Sequence, residues 1–132
     1  MSSQLKCILF WLLLIIMMIL HFNYHVGELF YGIDVQRENA NGTVPIGTHV
    51  IRNIFYHLPV IWILILLYSE ARYVKNSLFI ISIIYTFAHA SHLVGEFKSP
   101  DLSQIPLLVL ALIVSVLLNI EHYKYLKACE IK

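Results

Sequence analysis

With 132 residues, 59% of them hydrophobic and only 13% charged, this chain lies outside the range of soluble domains, which are about 45–50% apolar and about 25% charged. Its formal net charge of +1 supplies no basic footprint, so nucleic acid is not expected as a partner. The two cysteines, Cys7 and Cys129, form no closely spaced pair, which argues against dithiol chemistry.

Four apolar stretches, Cys7–Leu20, Val50–Tyr68, Leu78–Ala88 and Ile105–Ile120, can each be extended to the roughly 20 residues that cross a bilayer. The expected fold is all-α: one membrane-embedded domain over residues 1–132, a four-transmembrane-helix bundle with spans at about 5–28, 46–68, 76–96 and 102–123. In the first span Lys6 precedes an apolar core, as in a signal peptide. No small-x-small cleavage pattern follows, since the chain continues His21-Phe22-Asn23-Tyr24-His25, so the span is read as retained. Gly32 to Pro45 forms the next loop, with Asn41-Gly42 as its turn signal; Asn41-Gly42-Thr43 also fits the glycosylation pattern, which is common by chance. In the second span Pro59 cannot donate to the Phe55 carbonyl, which predicts a kink near His57. Ser69 to Asn76 reads as a short loop, and Lys98-Ser99-Pro100-Asp101 turns the chain between the third and fourth spans.

The fourth span carries Ser115 and Asn119 but nothing ionisable between Asp101 and Glu121, and is expected to be a packing wall. Glu121-His122 is expected to be a solvated pair at its end. Trp11 and Trp62 read as packing bulk, Met17 and Met18 as core filler.

Lys6, Arg72, Lys75, Lys124, Lys127 and Lys132 fall on one side of such a bundle, against Arg37, Arg52 and Lys98 on the other. The positive-inside rule then gives N-in/C-in. Few cysteines and short loops point to a bacterial inner membrane.

Six of the seven histidines lie in three stretches: His21-x3-His25-x2-Glu28, His49-x3-Asn53-x3-His57 and His89-x2-His92-x3-Glu96. Residues three, four and seven apart share a helical face. At 1.5 Å per residue, Glu28, Glu96 and His49 form an outer rung, and His25, His92 and Arg52–Asn53 a middle one. His21, His89 and His57 form the innermost. Ionisable groups inside a bilayer are costly and mark functional sites. The expectation is a cofactor site in the outer, non-cytoplasmic half, held by His21, His25, His49, His57, His89, His92, Glu28 and Glu96, with Asn53 and Arg52 beside it. Imidazole and carboxylate together suit iron, copper or zinc. Haem is the alternative, with room offered by Ala88, Ala90, Ser91, Gly95 and Gly27. Arg52 is expected to pair with Glu28 or Glu96. The spacings resemble, in residue type only, the histidine boxes of membrane desaturases and hydroxylases, which are much longer and carry more histidines, in His-His pairs.

The functional expectation is a small membrane metalloprotein or b-type-cytochrome-like redox protein. An accessory subunit of a larger complex and a metal or proton transport protein are the alternatives. Apart from the lipid bilayer, a second copy or another membrane subunit is the expected partner.

Overall fold

The computed structural model describes residues 1–35, 40–98 and 103–128. Cys129, Lys132, Arg37 and the Ser99-Pro100-Asp101 part of the expected turn lie outside the described residues. The elements in chain order are α1 (Ser3–Gly27) with one 3-10 turn after it (Glu28–Tyr31), then α2 (Ile46–Arg52), a π-helical turn (Asn53–His57) and α3 (Leu58–Tyr68). They are followed by α4 (Arg72–Glu96) and α5 (Ile105–Lys127). No strand occurs among the described residues. Four continuous helical segments, Ser3–Tyr31, Ile46–Tyr68, Arg72–Glu96 and Ile105–Lys127, are long and apolar enough to cross a membrane. The second segment has the expected bounds. The third starts four residues early, at Arg72, and ends at Glu96 as expected, so the Ser69 loop shrinks; the fourth runs Ile105–Lys127, three to four residues later than expected.

Local chemistry sets the ends. The Ser2 hydroxyl accepts from the Leu5 N–H at 3.3 Å and caps α1. Gly32, at φ 74°, takes the left-handed conformation that ends the 3-10 turn. In the loop, Asn41 Oδ1 accepts from the Thr43 N–H at 3.0 Å around Gly42, φ 77°, the turn that Asn-Gly predicts. Pro106, near the start of α5, needs no intrahelical donor there.

α5 is the central element, packed most extensively against α4 and α1. Its buried stripe Ala111, Ser115, Leu118, His122 and Tyr125 keeps a 3-4 spacing. That stripe corrects one expectation. His122 is fully buried and Glu121 is 6% exposed, so neither is solvated. The amino-terminal end of α1 runs antiparallel along the last turns of α5, bringing Lys6 Nζ to 3.4 Å from Glu121 Oε1, with Lys124 Nζ at 2.8 Å. Trp11 is not merely bulk: its indole N–H donates to His122 Nε2 at 3.1 Å. The thiol of Cys7 is free and buried beside it.

The second segment rests on α1 and reaches α4 through aromatic side chains. Phe55 meets Tyr85 at 5.8 Å between ring centroids. The break in this segment has a definite form. Leu58 N–H bonds to the Asn53 carbonyl, five residues back, and Pro59 has no N–H to give. The Ile54 carbonyl therefore loses its helical donor, and the Tyr85 hydroxyl of α4 donates to it instead. Tyr56 does the reverse service for α1, donating to the Met18 carbonyl at 3.2 Å, and Gln4 Nε2 caps the end of α3 by donating to the Leu66 carbonyl.

Pro59→Ala should restore an ordinary helical ladder and remove the need for the tyrosine. In the parent chain, Tyr85→Phe leaves an acceptor unsatisfied and should cost about 1–3 kcal/mol in a denaturant titration of the micellar protein. In the Pro59→Ala background the same change should cost less, a coupling that a double-mutant cycle reads directly. Equal costs in both backgrounds would rule out this account of the turn.

Candidate metal centre

The contacts Trp11–Tyr85 and His21–His92 climb together along α1 and α4, so the two helices run parallel. Their axial offset puts His21 level with His92, not with His89 as depth counting from the helix ends suggests. The His21 ring, 7% exposed, meets His92 edge to face at 4.7 Å and His25 at 4.9 Å. One turn outward on α4, Glu96 Oε1 lies 3.4 Å from His92 Nε2. One ligand atom from each of His21, His92 and Glu96 lies within 4.8 Å of the other two.

A His–Glu contact four residues apart is ordinary on a helix surface. What sets this one apart is the buried imidazole arriving from a second helix. Metal–ligand bonds of about 2.0–2.2 Å place tetrahedral ligand atoms roughly 3.3–3.6 Å apart, a spacing the His92–Glu96 pair already has. A shift of about an ångström by the His21 ring would complete the set. The donor chemistry, two imidazoles and a carboxylate, fits a first-row transition metal.

The remaining expected residues divide. His25 is exposed but joined to the cluster through His21, and its Nδ1 lies 3.2 Å from Gln104 Nε2. Gln104, fully buried at the start of α5, thus orients a histidine of the site, a role the sequence reading missed. His89, 2% exposed, lies one turn inward of His92 with its ring 5.5 Å from Phe55, and neither of its nitrogens has a hydrogen-bond partner. Glu28 and Arg52 line one cleft of about 530 Å³ together with His21, His25, His92 and Tyr56. Among the described residues, however, Arg52 forms no ion pair with Glu28 or Glu96; the expected salt bridge is absent. The rest of the cleft lining is apolar apart from Thr48: Met18, Phe22, Val26, Val35 and Ile51.

His49, Asn53 and His57 do not join the cluster. All three are exposed and bond only along their own helix: Asn53 Nδ2 donates to the His49 carbonyl at 2.9 Å, and Asn53 Oδ1 lies 2.7 Å from His57 Nδ1. Tyr56 and Phe55 fix the second segment against α1 and α4, which turns the His49-Asn53-His57 stripe outward. Helical spacing showed that these three share a face but carried no information about which neighbour that face meets.

A metal titration tests whether the two groups of histidines differ. His21→Ala, His92→Ala and Glu96→Gln should each weaken Co(II) or Zn(II) binding by more than the roughly 10–100-fold that loss of an outer-shell partner costs. His49→Ala and His57→Ala should leave it within about twofold, as judged by competition titration against a chelator of known affinity. Equal losses in both groups would mean that the metal is not held where these side chains meet. No protein-family model matches the chain, and neither a curated protein nor a solved structure matches it, so the ligand assignment stands on this geometry.

Proposed function

We propose that the chain is a small integral membrane metalloprotein whose centre, held by His21, His92 and Glu96, carries out redox chemistry in the outer half of the bilayer. The observation that carries this reading is the meeting of the three ligand atoms within 4.8 Å across two helices. Two histidines and one carboxylate leave coordination positions open, the donor set of non-haem iron(II) oxygenases. Iron is therefore the preferred metal, with zinc, which also keeps an open position at three protein ligands in catalytic sites, as its competitor. The edge-to-face packing of His21 on His92 supports a bare metal over haem, because a porphyrin would have to lie between two imidazoles that are already in contact.

Insertion with both termini inside is supported by Lys6, Arg72, Lys75 and Lys124, which lie at the ends of the helices remote from the cluster. The adjoining cleft would admit a reactant from the lipid side, its apolar walls taking a hydrocarbon portion and Arg52 a polar or anionic one. Within this arrangement His89 would be a proton carrier one turn below the metal, since both of its nitrogens are uncommitted.

One observation favours a proton or metal conduit as a second reading. Polar side chains continue below the cluster, with Asn119 Nδ2 donating to Thr86 Oγ1 at 2.9 Å and Ser82, Ser115 and His122 fully buried.

Anaerobic loading with Fe(II) should give one iron per chain, and nitric oxide should then bind the open positions with an EPR signal that is lost in His92→Ala. In sealed vesicles the same protein should not collapse a pH gradient. Iron loading without a nitric oxide adduct would overturn the redox reading, and a collapsed gradient would favour the conduit.

A further inference from the structure

The outward stripe of the second segment faces a problem that the metal centre does not solve. In a bilayer, His57 lies eleven residues inside Ile46, near the middle of the 23-residue helix Ile46–Tyr68, about 16 Å along its axis. Half of the hydrocarbon core is only about 15 Å thick, and the short imidazole side chain cannot reach the interface from there. Yet His57 and Asn53 are exposed, as are Val50, Val60, Leu64 and Leu67 on the same face. Polar groups at that depth face protein or a water-filled cavity, not lipid, and the described residues supply neither.

The hydrogen bonds already made define what is left over. Asn53 Oδ1 can only accept, so the neutral His57 ring carries its proton on Nδ1, facing Asn53, and presents Nε2 as a bare acceptor. Asn53 uses one amide N–H on the His49 carbonyl and keeps the other as a bare donor. One donor and one acceptor, side by side on one face, are complementary to themselves across a two-fold axis.

We propose that this face is a homodimer interface, in which Asn53 of each copy donates to His57 Nε2 of the other, and Val50, Val60, Leu64 and Leu67 pack above and below the pair. An isologous contact of this kind satisfies both leftover groups at once, whereas an unrelated partner would have to bring the opposite pair in register. A polar residue within an otherwise apolar helix seam also fixes register and oligomer state. The proposal rests on bilayer insertion alone and stands or falls independently of the metal centre.

The test uses the full chain carrying Cys129→Ser, reconstituted alone in phosphatidylcholine vesicles. Cys7 is buried and can remain. Val60→Cys should crosslink under copper phenanthroline at least about tenfold faster than Ile84→Cys, which sits on the exposed face of α4. Adding Asn53→Leu or His57→Leu removes both reciprocal bonds and should weaken dimerisation about tenfold, from the strength of interhelical hydrogen bonds in membranes. Crosslinking of Val60→Cys no faster than of Ile84→Cys would overturn the proposal. So would crosslinking that both leucine variants leave unchanged or strengthen.

Discussion

A polar group between helices that present hydrocarbon to their surroundings has no water to fall back on, and that constraint organises this molecule. Each buried polar side chain must find its partner inside the bundle, since leaving one unsatisfied costs free energy comparable to a whole hydrogen bond. Three of the solutions between helices run from side chain to backbone. Tyr85 serves the Ile54 carbonyl released by the Pro59 turn, Tyr56 reaches Met18, and Gln4 closes the end of α3. These contacts fix the rotation of the second segment about its axis. Its rotation decides in turn which histidines meet α1 and α4 and which face away.

Against that background the groups that remain unsatisfied are informative. His89 has two uncommitted nitrogens in a nearly closed site, and it lies one helical turn from the only group of three potential metal ligands found among the described residues. At the opposite end of the bundle, Glu121 is held by two lysines and His122 by the Trp11 indole. Charges there are neutralised in place, whereas the end that carries His21 and His92 gathers imidazoles and a carboxylate with no lysine or arginine ion pair among the described residues. A metal ion would supply the missing positive charge to Glu96 and the missing electrophile to His21 and His92, with no change in the fold.

Much of the fold was legible in the sequence. Four long apolar runs broken by Asn41-Gly42 and flanked by Pro45 and Pro106 leave little freedom in the number or order of the helices. The break at Pro59 was legible too, though its form, a π-turn with the Tyr85 hydroxyl on the Ile54 carbonyl, was not. The site was only half legible. Spacing within one helix places His92 with Glu96 correctly because both ride on the same turns. Pairing across helices depends on axial offset and rotation, which side-chain periodicity does not encode, so His21 was matched with the wrong rung and His49 and His57 were drawn into a cluster they do not reach. Gln104 and Tyr85 carried no motif at all; each matters only through the neighbour that packing gives it. His122 looked solvated because it ends a span, but the 3-4 stripe from Ala111 to Tyr125 runs straight through it.

The most direct test of the central claim is X-ray absorption at the iron edge of the anaerobically loaded protein. The account predicts an ordered centre whose spectrum contains two imidazole ligands and carboxylate or water oxygens. A spectrum showing four or more imidazoles, or only the oxygen shell of loosely bound hydrated iron, would contradict it.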